Sequence, residues 1–250
     1  MIQSFSAFIR LLGFLLLTLP LMPVQLVLQK LHFAQAKTLP HYYHRLLCKI
    51  IGIRVEIEGD VPKLGLVVSN HISWTDIPVL SATCSLTFIA KREVSQWPFF
   101  GWLAKLQNCE FVNRQSRQST KLSIARLKHR LAKGETLVLF PEGTSGTGRR
   151  LLPFKSAYFG AVENTDISII LATIYYTAQQ GLPLTQRQWA NVSWTGDQSL
   201  LPNLWFMLCH SPLTVKVIFQ PFPKFEDRKN TARAAEEAIR SKLHAGPKIG

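Results

Sequence analysis

Leu66-Val67-Val68-Ser69-Asn70-His71-Ile72-Ser73-Trp74-Thr75-Asp76 sets how the rest of the chain is read. Leu66, Val67 and Val68 form the short apolar run of a buried strand. Ser69 and Asn70 break it. Ser73 and Thr75 are candidate helix caps ahead of Ile77, Val79 and Leu80. His71 therefore falls where a strand ends and a helix is about to begin. On one regular helix His71 and Asp76 would point about 140° apart. They meet only if the histidine lies in the turn and the aspartate in the next helix. A carboxylate so placed fixes the imidazole tautomer and stabilises the charge the ring gains on taking a proton. The alternative is a turn histidine and a helix-start aspartate with no shared task.

Strands and helices alternate from about Arg54 onward. Residues 54–58 alternate charged and apolar side chains, as a half-buried strand does. Residues 86–90 form another short strand, and Trp97-Pro98-Phe99-Phe100-Gly101-Trp102 is an aromatic turn. That turn reads as a packed loop, a pocket wall or a membrane-facing surface. Residues 110–114 form a strand ending in Arg114. A basic helix comes next over 119–132, stopped by Gly134, with Ile124, Leu127 and Leu131 on one face. Residues 136–140 run as an apolar strand into Pro141-Glu142-Gly143-Thr144-Ser145-Gly146, a turn rich in breakers. Residues 167–175 and 215–219 are two further strands. Asn230 is the expected cap of a last helix reaching His244, ended by Gly246 and Pro247. The alternation predicts an α/β domain with a mixed, partly parallel sheet flanked by helices. In such sheets chemistry gathers at the carboxyl ends of strands, where His71, Arg114 and Glu142 all fall.

The 250 residues carry a net charge of +14, which calls for nucleic acid, an anionic membrane or an anionic substrate as partner. No zinc-finger spacing, RNA-binding signature or basic zipper supports nucleic acid. Cys48, Cys84, Cys109 and Cys209 are far apart and show neither metal-ligand spacing nor a disulfide framework. Residues 11–28 hold no charge, a length at the short end for a membrane span. Pro20 and Pro23 interrupt them, so a kinked or re-entrant insertion competes with a clean span. Arg10 precedes the run, and Lys30, Lys37, Arg45 and Lys49 come after it. That bias puts the C-terminal side of the run in the cytoplasm. Two rivals stand: a signal peptide cleaved near Ala34-Gln35-Ala36, and a core helix of a soluble protein. Residues 40–51 read as an amphipathic helix with surface-seeking Tyr42 and Tyr43, ended by Gly52. The expected organisation is a membrane-anchoring helical segment over 1–51 and an α/β domain over 52–250.

Asn70-His71 with Asp76, Phe111 with Arg114, and Phe140-Pro141-Glu142-Gly143-Thr144 occur in that order. Together they resemble the four-block pattern of the glycerolipid acyltransferases, the family of 1-acylglycerol-3-phosphate acyltransferases, over about residues 61–176. The first and third blocks match residue for residue, the first being an HX4D motif. The residue chemistry points the same way, because a hydroxyl acceptor is a weak nucleophile and needs a base. His71 supplies one, with Asp76 holding the ring. The resemblance implies that Arg114 binds the acceptor's phosphate and that Glu142 and Gly143 shape the glycerol site. Asn70, Lys91, Thr144 and Lys155 join them as candidate substrate-binding residues. It further implies direct transfer from acyl-CoA or acyl carrier protein, without an acyl-enzyme, a metal or any other cofactor.

On this reading the chain is a membrane-bound O-acyltransferase turning lysophosphatidic acid into phosphatidic acid. Its partners are a lyso-lipid acceptor, an acyl thioester donor and an anionic membrane, with no nucleic acid. Two positions depart from the pattern. Ser145 stands where the family often has arginine, a charge that Arg149, Arg150 or Lys155 could supply. Ala172 stands where the fourth block centres on proline. The run Thr147-Gly148-Arg149-Arg150-Leu151-Leu152-Pro153-Phe154-Lys155-Ser156, with Trp194-Thr195-Gly196-Asp197, is similar to the branch that includes lyso-ornithine lipid acyltransferases. Lyso-ornithine lipid, or another lyso-lipid, is therefore the alternative acceptor. A hydrolase and a non-catalytic membrane-binding protein are the remote alternatives.

Overall fold

A computed structural model describes residues 2–114, 116–195, 198–223, 225 and 227–246. Gly196, Asp197 and Pro247, which figure in the sequence patterns above, lie outside the described residues. Two helices open the chain, α1 (Ile2–Lys30) and α2 (Gln35–Ile51). Then come β1 (Ile53–Glu58), β2 (Gly65–Ser69), α3 (Asp76–Ser81), β3 (Thr87–Lys91), α4 (Phe100–Leu106), β4 (Glu110–Val112), α5 (Arg117–Ala132) and β5 (Thr136–Leu139). β6 (Ile169–Gln179), β7 (Leu182–Pro183), α6 (Gln186–Val192), α7 (Leu200–Cys209), β8 (Leu213–Phe222) and α8 (Arg228–Ala245) complete it.

The strands form one sheet in the order β1-β8-β6-β2-β5-β3-β4, with β7 paired to β6. Neighbours run parallel except where β8 and β7 meet β6. The fold is thus α/β with a mixed, mostly parallel sheet, as expected. β2 and β5 are buried along their whole length, which is why they read as unbroken apolar runs rather than alternating ones. Successive side chains serve opposite faces. Val67 and Val138 enter the core under α1, α2, α3 and α7. Leu66, Val68, Leu137 and Leu139 enter the core under α5 and α8. Because β2, β5, β3 and β4 are parallel neighbours, their carboxyl ends emerge at one edge; the turns there carry His71, Glu142 and Arg114, and Lys91 is the last residue of β3.

Several local expectations change. Pro20 and Pro23 do not break α1, which is helical from Ile2 to Lys30. Both prolines lie on its exposed side, and its other side packs on α2, α4 and α7. Asp227, not Asn230, caps α8: its carboxylate accepts the Lys229 and Asn230 N–H groups at 2.7 and 3.0 Å. A carboxylate at a helix start also meets the positive end of the helix dipole. Ser116 caps α5 in the same manner, accepting the Ser119 N–H. The helices α6 and α7 were not expected. Thr185 and Gln188 form a capping box at the start of α6, a signal visible in the sequence as Thr-x-x-Gln.

Helix α1 is long and apolar enough to cross a membrane, and most of its apolar stretch stays unburied. It is nevertheless tied to the rest of the fold. The Arg10 guanidinium donates to the Leu208 carbonyl at 2.6 Å, in the last turn of α7, where the helix dipole favours a cation. Gln25 donates to the carbonyls of Ala36 and Leu106 at 2.9 and 2.8 Å.

Candidate active site

The turn after β2 brings His71 and Asp76 together, with Nδ1 of the ring 2.7 Å from a carboxylate oxygen of Asp76. The same oxygen accepts the N–H groups of Ile72 and Ser73 at 2.6 and 2.9 Å. The other oxygen accepts the Tyr176 hydroxyl at 2.5 Å. Four donors thus converge on one fully buried carboxylate. Thr75 precedes α3, but its hydroxyl turns to the Tyr176 hydroxyl at 2.6 Å instead of capping the helix. Burial first, and the Asp76 charge second, hold the Tyr176 phenol well above its ordinary value, so it stays a donor. With Nδ1–H directed at a carboxylate, the remaining ring nitrogen, Nε2, is left as the acceptor. The His71 side chain is 17% exposed and stacks on Phe140, ring centres 4.1 Å apart, and the Phe88 ring lies nearly parallel to Phe140 with centres 6.1 Å apart.

Glu142, the buried acid of the turn after β5, reaches back to the histidine. Its two oxygens accept the main-chain N–H groups of His71 and Leu152 at 2.7 and 2.8 Å. Burial pushes its carboxyl up to about 7, against the pull of those two bonds and of His71. The Gly146 N–H donates to the His71 carbonyl at 2.8 Å, so the two turns are joined twice. Gly143 has φ of 76°, and a Cβ there would come within 2.6 Å of the Arg114 guanidinium and 3.0 Å of the Lys155 ammonium. Those cation ends could shift, but the left-handed φ favours glycine there in any case.

Arg114 donates to the Gly143 carbonyl at 3.3 Å and lies 5.5 Å from the centre of the Tyr158 ring. Its Nε–H is buried without a partner among the described residues. Lys91 is held below its usual value, by burial first and then by the charges of Arg114 and Lys155. Three cations therefore share one side of the site, an arrangement suited to an anion. Arg149 and Arg150 are exposed, whereas Lys155 reaches over Gly143.

Other expected residues stand elsewhere. The Asn70 side chain is spent on the main chain of Ile174 in β6, donating to its carbonyl at 3.1 Å and accepting its N–H at 2.8 Å. It clamps the turn to the sheet with one N–H and one lone pair of its buried amide. Thr144 is exposed at the rim. Ser145 is buried and its hydroxyl donates to the Trp194 carbonyl, while the Trp194 N–H donates to the Ile72 carbonyl at 3.0 Å. A larger, charged side chain at 145 would break that bridge. Ala172 lies buried beside Ser69 in the β2–β6 pairing.

Against the ring stack opens an apolar cavity of about 230 Å³ between α1, α2, α3, α4, α7 and β3. Trp74 and Phe88 form its near wall; Phe14, Leu21, Leu103 and Leu204 continue it. Trp97 and Phe100 of the aromatic turn line it, whereas Trp102 faces outward, so that turn serves as both wall and surface. His44 also lines it, and burial holds its imidazole down at about 4, so it stands there uncharged. Tyr176 and Asn203 escaped the sequence reading, and Phe140 and Trp194 enter it only as members of motifs, with no role of their own. Tyr176 lies one hundred positions from its partner Asp76, a separation that no local pattern spans.

A family model described as acyltransferase matches residues 52–175. The lyso-ornithine lipid O-acyltransferase of Brucella abortus is 36% identical over 258 residues, covering 98% of this chain and 96% of that protein. That of Rhizobium meliloti is 35% identical over 240 residues, covering 91% and 82%. The 1-acyl-sn-glycerol-3-phosphate acyltransferase of Neisseria gonorrhoeae is 31% identical over 180 residues, covering 70% and 68%. The crystal structure of the 1-acyl-sn-glycerophosphate acyltransferase from Thermotoga maritima shares the fold. It superposes with a TM-score of 0.52 at 21% identity, covering 81% of this chain and 78% of that one.

Proposed function

Since the chain belongs to the acyltransferase family, we propose that it transfers a fatty acyl group from an acyl thioester to the free hydroxyl of a lyso-ornithine lipid. The observation that carries the reaction is the His71–Asp76 pair, 2.7 Å apart, standing beside an apolar cavity. Nε2 of His71 takes the hydroxyl proton as the oxygen attacks the thioester carbonyl. The C–S bond breaks, an ester C–O bond forms, and the thiol leaves with the proton from the imidazolium. Asp76 keeps the ring in the working tautomer and stabilises it while charged. The cavity takes an acyl chain. Acyl-CoA and acyl carrier protein are the two donors this chemistry allows.

The motif blocks alone favoured lysophosphatidic acid as acceptor. The relatives that span nearly the whole chain reverse that order. The reason is chemical: the blocks hold a base that any hydroxyl acceptor needs and, in Arg114, a cation that takes a carboxylate as readily as a phosphate. Arg114, Lys91 and Lys155 suit the α-carboxylate of ornithine. They also suit a phosphate, and this cluster is what keeps lysophosphatidic acid as the second reading. Residues 1–51 act as the membrane anchor ahead of a catalytic domain on the cytoplasmic side, a reading supported by the uncovered apolar face of α1 and the basic residues after it.

The test is an acceptor panel with purified protein in lipid vesicles, using acyl carrier protein and CoA donors and reading thiol release. Lyso-ornithine lipid is expected to give the highest kcat/KM. A higher value for lysophosphatidic acid would install the second reading, and thiol release with free fatty acid but no ester would indicate a hydrolase.

A further inference from the structure

Helix α7 has two faces with different neighbours. Leu200, Leu204 and Leu208, four apart, line the apolar cavity. Leu201 and Trp205 lie on the adjoining strip, about 100° further round, and are 67% and 41% exposed. The helix runs along α1, and the bond from Arg10 to the Leu208 carbonyl fixes the two together. The exposed strip thus belongs to a helix packed on α1, whose own apolar face leaves Phe5, Phe8, Leu12, Leu16 and Leu19 exposed. On α4, which also packs on α1, Trp102 is 58% exposed and carries the Lys105 ammonium 5.6 Å from its ring centre. Aromatic and basic side chains together are favoured at the membrane–water boundary.

We propose that α7 is a second bilayer contact, with Leu201 and Trp205 set in the lipid surface beside α1, so that α7 is the wall between the bilayer and the acyl cavity. The proposal rests on the reading of α1 as membrane-associated. A bilayer is the fitting occupant because the strip stands on a helix packed against one long enough to cross it, and because the adjoining face of the same helix lines a cavity suited to a lipid chain.

Three full-length proteins test it in vesicles of phosphatidylglycerol and phosphatidylcholine with brominated acyl chains: the wild type, Trp205→Phe, and Trp205→Phe combined with Leu16→Trp. The fluorescence difference between the first two reports Trp205. It is expected to fall at least two-fold when bromines replace hydrogens in the chains. If it does not fall while the signal added by Leu16→Trp does, α1 is in the membrane, α7 is not, and the proposal is overturned. If neither falls, the membrane reading of α1 fails with it. Quenching of Trp205 alone would keep the α7 contact and remove the α1 one.

Discussion

His71 is a base only through what holds its other nitrogen. Asp76 does so while bound to two backbone N–H groups and the Tyr176 hydroxyl, and cannot turn away without leaving those buried donors unpaired. His71→Ala is expected to lower kcat by about 10²–10⁴-fold, the usual worth of a general base, in a protein that stays folded. Asp76→Asn should approach that loss, because an amide can hold the wrong tautomer. The double variant should be little worse than His71→Ala alone, since the pair acts as one unit; multiplicative losses in steady-state assays would give Asp76 a separate structural role. Glu142 makes a different prediction. Its carboxyl stands at about 7 in the fold against an ordinary 4.5, so folding favours the protonated acid. Its contribution to stability is complete below about 4.5 and is lost as pH rises through about 7. Unfolding midpoints of wild type and Glu142→Gln, compared from pH 4.5 to 8 in one detergent, should therefore change in favour of the glutamine variant as pH rises. A constant difference across that range would show that burial does not shift this acid.

The elements around the site connect more than the motifs suggest. The Trp74 indole N–H, inside the His71–Asp76 segment, donates to Asn203 of α7 at 2.8 Å, and Asn203 in turn donates to the Asn191 carbonyl at 3.0 Å. Leaving a part-buried donor unpaired costs about 1–3 kcal/mol. Asn203→Leu should destabilise by about that much in chemical denaturation and should also lower kcat by loosening the turn that carries His71. Asn203→Asp keeps the acceptor for Trp74 and should recover part of both; equal losses in the two variants would place the effect in the Asn191 bond instead. This link marks where the sequence stopped being legible. The strands β2 and β5 were legible because both of their faces are buried and their apolar runs are unbroken. The turn after β2 was legible because a strand end, two cap-forming residues and an aspartate leave one geometry in which His71 meets Asp76. Helix α7 was not, because Leu200-Leu201-Pro202-Asn203-Leu204-Trp205-Phe206-Met207-Leu208-Cys209 is apolar on every side but for Asn203 and shows no single buried stripe; α6 offered only its Thr-x-x-Gln start. Asn70 sits in the motif, and what the sequence does not show is that its amide ties the turn to the Ile174 main chain.

Across the full chain, the N-terminal helices are part of the fold that encloses the cavity. Ala7, Leu47, Cys48 and Ile51 belong to the same core as Val67, Val138 and Tyr176 of the sheet. Phe14, Thr18, Leu21, Met22 and Gln25 of α1 line the cavity. Read from the sequence, residues 1–51 are a membrane anchor, and deleting residues 1–36 should lower membrane affinity and leave a residual, salt-sensitive association, since each basic residue near an anionic surface adds about 1 kcal/mol. The packing adds a second consequence. Without α1 the cavity loses one wall, the last turn of α7 loses the Arg10 guanidinium, and the carbonyl of Leu106 loses two donors, Gln25 and Gln29. Deleting residues 1–36 is therefore expected to abolish acyl transfer even in detergent, where membrane recruitment no longer matters, and to lower the unfolding midpoint. The single change Arg10→Leu separates the two roles: it keeps the apolar helix, so membrane sedimentation should persist in high salt, but it removes the tie to α7 and should cost stability. Full activity of the truncated protein on detergent-dispersed acceptor would show that α1 is an anchor only and that the cavity it lines has no part in the reaction.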